Sequence, residues 1–455
     1  VSYVEYVTPR VSVSVDENAL IRTTTGQPNV VGITGTADWG PFTVQTLSSL
    51  NEAKQLYKTD AGTCTLIRGL ELLFANGASN VKALRIGASG IPAYAAVSLN
   101  NGVTPAITFT AIYKGTYGNN LTVAVTANSG TPANRDVAIT DGIVTEYYQN
   151  LASNDAIVTA CAVSNLVTVT KLTSSLVDAV TATPLTGGLD GDTTATSDYS
   201  VTLSDWETEN VDVMLFAGQT DATLNAALKT HCVSMANNNK PRICVVGGLN
   251  SLTVAQHATA AGTLNSNRAI YTAPGIIKVR ADGTEETLHG GFTACAVAGM
   301  IASRNVNEST TNQTIAGIAD LYEYYNDAEI RELILGGVCV ARQFNAFEIA
   351  KDVTTATSGA FITVPIRREV DYAISGIRDI GSEYLGRLNI ANVRAALNGS
   401  LNAFLKQLVV NNIIEDYTVD VHASRDDEIA GRAVVDVRLA PVYSLYYIDC
   451  VIFLE

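Results

Sequence analysis

The side chains of this chain that could bind a metal or move a proton are four histidines, seven cysteines and an excess of carboxylates. Metal chemistry needs such groups close together, as histidines one helical turn apart or cysteines in CxxC pairs. His231, His257, His289 and His422 have no such spacing. Cys64, Cys161, Cys232, Cys244, Cys295, Cys339 and Cys450 are scattered and form no CxxC pair. That is the pattern of neither a zinc site nor a disulfide framework, and apolar surroundings such as ICVV and GGVCVA suit buried, reduced thiols. His231 and Cys232 are adjacent, but neighbours on a helix point apart and make no local dyad. No nucleophile elbow, Walker A loop or strand-linked GxGxxG occurs. The acids Asp426-Asp427-Glu428 read as a solvated loop, and no paired-acid hydrolase site can be placed from spacing. No catalytic residue, metal ligand or cofactor site is therefore expected.

Gly187-Gly-Leu-Asp-Gly-Asp192 is similar to one calcium-binding turn of a repeat β-helix. Such turns bind only when stacked, and this single copy reads as a linker at a domain boundary.

Residues suited to docking are more evident. Over 390–411 the apolar positions Ile390, Val393, Leu397, Leu401, Phe404 and Leu408 recur at helical period. Arg394, Asn398, Asn402 and Lys406 fall four apart on another face. That face is either solvated or docks on a partner. At the N-terminal end Tyr3, Val4 and Tyr6, then Val11, Val13 and Val15, suggest two short β pieces broken by Pro9. At the other end 445–453 is an apolar strand with Tyr447, Ile448, Val451 and Phe453. Strands without local partners are an aggregation hazard unless a sheet edge is provided for them.

The elements between these ends alternate. A buried strand (29–35), a Gly-Pro turn (37–42), a helix opened by the capping box Ser49-Leu-Asn-Glu52, a helix over 65–75 and a strand over 81–86 begin an α/β layer. From 89 to 196 short alternating strands and turns such as Asn101-Gly102 and Asp141-Gly142 indicate a small all-β domain. The α/β texture resumes with a strand at 211–216, a helix at 223–237 and a strand at 242–246. Helices are expected at 254–264, 293–303 and 329–335. A last domain has a strand at 361–365, helices at 370–384 and 390–411, and paired terminal strands at 433–441 and 445–453. The expected fold is an α/β core (26–88 plus 197–344) with an inserted all-β domain (89–196) and an α+β C-terminal domain (345–455). An N-terminal β arm (1–25) and a C-terminal β arm extend from it.

Composition limits the partners. Of 455 residues, 47% are hydrophobic and only 16% charged, against about a quarter charged in an average soluble protein. A surface so poor in charge suits extensive subunit contacts. The net charge of −15 argues against direct nucleic-acid binding, which calls for a basic patch. No apolar run reaches the ~18–20 residues of a membrane helix, and 1–10 lacks the basic start and apolar block of a signal peptide.

Several segments together resemble the contractile tail sheath proteins of phages and related injection machines. They are Val30-Val-Gly-Ile-Thr-Gly-Thr-Ala-Asp-Trp-Gly-Pro41; Leu73-Phe-Ala-Asn-Gly-Ala-Ser-Asn-Val-Lys-Ala-Leu-Arg85, with Ala78 where the family has a second glycine; Lys114-Gly-Thr-Tyr-Gly-Asn-Asn120; Thr354-Thr355 with Ile366-Arg-Arg368; and Ala430-Gly-Arg432 followed by Ala440-Pro441. Their order spans nearly the whole chain. The resemblance implies a structural subunit, not an enzyme, that stacks in six-fold rings around an inner tube and contracts without a cofactor. Implied partners are further copies of itself, the tail tube protein, and baseplate and tail-terminator proteins, with no membrane insertion. The implied location is a virion tail or injection particle assembled in the host cytoplasm. The arms would be exchanged between subunits. The C-terminal domain would lie innermost, so Arg387, Arg394, Asn398, Asn402 and Lys406 are the expected tube-facing residues. The rival readings are a surface-layer or adhesin-like protein and an α/β hydrolase-like enzyme.

Overall fold

Short runs of β-branched residues that are apolar on both faces must be covered on both sides, which is the demand of a parallel sheet clad in helices. A computed structural model describes residues 29–58, 64–87, 92–190, 195–280 and 282–452. Its α/β strands are β1 (Val30–Thr36), β2 (Gln45–Leu47), β3 (Asn80–Ile86), β4 (Val213–Phe216), β5 (Ile243–Gly247), β6 (Ala269–Ala273), β7 (Val338–Gln343) and β8 (Phe347–Ile349). Every residue of β4, β5 and β6 is buried.

The described residues form two compact units, 29–33, 69–82 and 203–452 in one, 34–68 and 83–202 in the other. In the first, the strands run β8, β7, β6, β5, β4, followed by the opening parts of β1 and β3. β4 to β7 pair in parallel, with Val213 opposite Ile243, Val245 opposite Ile270 and Thr272 opposite Cys339. β8 closes the edge antiparallel, with Ala341 opposite Ile349. The covering helices carry sequence-encoded caps. Asp221 accepts from the Leu224 amide at the start of Ala222–Asn237, and Thr253 with Gln256 forms a capping box before Val254–Leu264. Helix Gly290–Ala302 is buried along its whole length. Its approach to β5 needs glycine, since a Cβ on Gly247 would lie 2.1 Å from the Gly290 carbonyl group.

Farther along the same unit, helices Val364–Ser382 and Ala391–Val410 precede an antiparallel strand pair, Ile414–His422 with Val434–Pro441. Leu397, Leu401, Leu405 and Leu408 are buried against Tyr372, Ile377, Val437 and Leu439. Three sequence expectations are corrected here. Residues 361–365 are not a strand: Pro365 occupies the first turn of Val364–Ser382, where its missing N–H costs nothing. The partner of Val434–Pro441 is Ile414–His422, along which Tyr417, Val419 and Val421 alternate, and 442–452 forms no strand. The buried row of the long helix includes Leu405, while Phe404 is half-buried and Ile390 exposed.

The second unit holds the ends of β1 and β3 together with β2, and two antiparallel sheets. One comprises Tyr94–Asn101, Thr104–Lys114 and Val167–Lys171. The other runs Val180–Pro184, Thr122–Ala127, Arg135–Thr140, Thr145–Leu151. Gly102 and Gly142 take positive φ at the turns their sequence marks. Both sheets and helix Asn154–Cys161 enclose one core with Phe109, Val123, Ile139 and Ile157. Trp39 of the Gly-Pro turn belongs to that core and meets Tyr113 edge-on, 5.3 Å between ring centres.

Candidate assembly surfaces and the networks behind them

Within the second unit the quoted motifs converge on one buried cation. Arg85, at the end of β3, donates through Nε to the Ala37 carbonyl (2.6 Å). One terminal nitrogen donates to the carbonyls of Gly40 and Lys114, both at 2.8 Å. The other reaches Asp190 Oδ1 at 3.2 Å, and Phe42 stacks on the guanidinium at 4.4 Å. Asp190 also accepts from the Thr116 amide (3.0 Å) and from the Thr116 hydroxyl. Gly115 sits at φ +137, and a Cβ there would lie 2.1 Å from the Asp38 carbonyl oxygen. So the Gly-Pro turn, the arginine that ends the strand, the Gly-Thr turn and the Gly-Leu-Asp linker form one joint. Sequence reasoning saw these segments singly. Only the fold shows that residues 37 to 190 share a guanidinium.

The first unit has an arginine network of its own. Arg268 grips Asp371 with two bonds (2.7 and 2.9 Å), and Arg367 adds a third at 2.6 Å. Burial alone would raise the Asp371 carboxyl, but Arg268 and Arg367 outweigh it and hold the group below its ordinary range. Arg368 donates to the carbonyls of Asn305 and Arg304 and to Asn29 Oδ1. Nothing in local periodicity marks these partners. Arg242 meets His231 at 3.2 Å, and burial, then this positive neighbour, pushes the His231 pKa down to about 4.

Of the expected arm residues, Tyr3, Val4, Tyr6, Val11, Val13, Val15 and Phe453 lie outside the described residues. Tyr447, Ile448 and Val451 are about three-quarters exposed, as is Leu445. Of the expected tube-facing residues, Arg387 is exposed and stacks on Tyr384 (4.6 Å), and Lys406 is exposed. Arg394 donates to Asn389 and pairs with Glu428 at 3.1 Å. Asn402 donates to Asn398 (3.0 Å), and its carbonyl accepts from Tyr417. Arg394, Asn398 and Asn402 are half-buried: Arg394 ties its helix to Asn389 and Glu428, and Asn398 and Asn402 bond to each other along the same helix, while Arg387 and Lys406 are exposed.

The acidic triplet 426–428 is not a bare loop. Asp427 closes a capping box with Ser424 and pairs with Arg432. Those hydrogen bonds, led by the Ser424 hydroxyl, hold the carboxyl at about 2. Six cysteines are buried and Cys450 is exposed, with no disulfide among them. Among the described residues, no group of three or more His, Cys, Asp or Glu side chains could hold a metal ion, and no helix is long and apolar enough to cross a membrane.

Comparison with known proteins gives a consistent result. Residues 192–355 match the family model of the phage tail sheath protein central domain, and 357–454 that of the phage tail sheath C-terminal domain. The tail sheath protein of Bacillus phage SP01 is 23% identical over 245 residues, which is 52% of this chain and 42% of that protein's length. The sheath tail protein of Desulfitobacterium hafniense superposes with a TM-score of 0.70 at 18% identity, covering 96% of this chain and 100% of its own. The Listeria innocua sheath tail protein gives 0.71 at 20%, covering 93% and 94%. The anti-feeding prophage helical sheath in its contracted state gives 0.59 at 13%, with both chains covered in full.

Proposed function

The chain belongs to the phage tail sheath protein family, and from that premise we propose that it polymerises in six-fold rings around an inner tube and contracts to drive that tube through a target envelope. The observation that carries this reading is the C-terminal end. A strand pair with only one helix-covered face is marginal alone. Its outer edges have no partner strand among the described residues. The chain then runs on as an exposed apolar segment, 442–452. A strand from a neighbouring copy, added to either edge, completes both structures by β-augmentation: backbone bonds make the joint and alternate side chains set its register.

Contraction is a switch between two packings of the same subunits, with exchanged arms as hinges. Burying ~200 Å² of extra apolar surface per subunit supplies roughly 5 kcal/mol, so no nucleotide is required. The four-part organisation 1–25, 26–88 plus 197–344, 89–196 and 345–455 serves this use, with the inserted domain outward and the C-terminal domain toward the tube. Arg387 and Lys406 are the favoured tube contacts, and Arg394, Asn398 and Asn402 shape the helix that presents Lys406. Baseplate and terminator proteins would cap the stack, in a tail or injection particle assembled in the host cytoplasm.

Electron microscopy of the concentrated protein is the direct test. Tubes with six-fold end views are expected, and removal of residues 445–455 is expected to abolish them. A truncated chain that still builds tubes would refute the role given to the arm.

A further inference from the structure

We propose that Tyr446, Tyr447, Lys351 and Asp352 form a pivot that fixes where the C-terminal arm leaves the subunit, so that only residues after 447 cross to a second copy of this chain. The inference rests on the strand-exchange reading above and adds the place from which the arm is measured.

Residues 442–452 are exposed almost throughout; Tyr443 is 63% exposed, Ile448 75% and Ile452 84%. Ser444 and Tyr446 are the half-buried exceptions, and Tyr446 is anchored through its side chain. Its hydroxyl donates to Asp352 Oδ1 at 3.0 Å. Asp352 is 1% exposed and already fixed on its other sides. It accepts from the Thr310 amide and the Thr311 hydroxyl, both at 3.0 Å, and its own amide donates to Thr311 Oγ1. A carboxylate so deeply buried needs its acceptor sites filled, so losing the tyrosine carries a desolvation cost that an ordinary surface contact does not. Next to it, Lys351 donates to the Tyr447 hydroxyl (3.1 Å) and lies 4.6 and 5.1 Å from the ring centres of Tyr446 and Tyr447. Two consecutive aromatic residues are thus held by one cation and one buried anion, while the residues on either side are exposed.

This is not a parked, self-covering tail. Ile448, Val451 and Ile452 stay exposed, so the subunit does not bury the apolar side chains that would join a neighbour. The clamp sets a length instead. Anchored at 441 in place of 447, the crossing arm would begin six residues earlier and carry about 20 Å more of extended chain, at about 3.3 Å each. A pivot makes the strand register independent of slack behind it.

Two insertions of Gly-Ser test this, scored by the critical concentration for tube formation. Between Val442 and Tyr443 the insert lies behind the pivot and is absorbed, and assembly is expected to stay within about two-fold of the unaltered chain. Between Tyr447 and Ile448 it lies in the measured arm, and a rise of ten-fold or more is expected. Tyr446→Phe combined with Lys351→Met should raise the critical concentration about five-fold with an unchanged circular dichroism spectrum, and Lys351→Arg, which keeps the cation, should not. If deletion of 448–455 stops assembly but both insertions act alike, the pivot is wrong and strand exchange stands. If the deletion leaves assembly intact, strand exchange itself falls and takes the pivot with it.

Discussion

In the second unit, in the part proposed as an insertion, two antiparallel sheets and a helix face one another, and Phe109, Val123, Ile139 and Ile157 are buried between them. The C-terminal region is also built on antiparallel strands, but one helix covers one face of one strand pair, and the chain beyond it leaves Leu445, Ile448, Val451 and Ile452 exposed. Both regions have enough apolar residues to close a core. They differ in where those residues lie. The insertion places them on facing sheets within a hundred residues, whereas the C-terminal region strings several along a segment with no surface of its own to cover. The difference teaches that the exposed apolar area here is gathered on one segment with no cover of its own, which is the condition the proposed exchange with other copies requires.

The comparison breaks most readily at its closed side. Phe109→Ala should destabilise the insertion by about 3–5 kcal/mol through the cavity it leaves, read by denaturant unfolding. Ile448→Ser should change the monomer's stability by less than about 0.5 kcal/mol while impairing tube formation. Equal losses of stability from both would erase the distinction. Next in size, Asp371→Asn removes the carboxylate shared by Arg268 and Arg367. A loss of about 3 kcal/mol is expected in the first unit, with the insertion's local hydrogen-exchange protection unchanged.

Acid separates the regions more gently. Burial, with Arg242 beside His231, pushes the His231 pKa down to about 4, and burial does the same for His257. Both stay neutral in the folded state where the unfolded chain would take up protons. Their stabilisation is full above pH 6.5 and is lost as pH falls toward 4, with about 2 kcal/mol each gone by pH 5. The inserted domain contains no histidine. Burial raises the pKa of its Asp141, but the Val144 amide, the Lys58 ammonium and the Ile143 amide outweigh burial and hold the group at about 2, so its contribution is lost only between about pH 4 and 2. Unfolding monitored region by region at pH 5 should find the α/β unit weakened and the insertion unchanged. The smallest expected effect is at the surface: Lys406→Glu should leave stability within about 0.5 kcal/mol and weaken only co-assembly with a tube protein.

What could be read from the sequence was local. Ser49 and Glu52 announce a helix start because the capping bonds join residues three apart. The burial of β4 and β5 follows from their own residues. The misreadings have the opposite character. Phe361-Ile-Thr-Val-Pro365 looks like a strand by composition, and only Pro365 in the first helical turn shows otherwise. Strand Ile414–His422 carries three acids among its alternating apolar residues, and its identity depends on a partner that lies beyond the turn and the short helix Arg425–Ile429. Of the candidate sites, Tyr447, Ile448 and Val451 read as an apolar strand paired with 433–441, and their exposure follows only from Ile414–His422 taking that partner. The internal ties of Arg394 and Asn402 were not legible, because their partners come from other elements.

The Arg85 joint carries a consequence for variation. The insertion answers to that guanidinium through a single carbonyl, on Lys114, and a single carboxylate, on Asp190. The rest of the insertion is not free to vary with it, because Trp39 and Phe109 share a core with Val123, Ile139 and Ile157, which any replacement for 117–189 would have to rebuild. The arginine is a socket for two plugs, and the apolar core behind it decides what can hang from them.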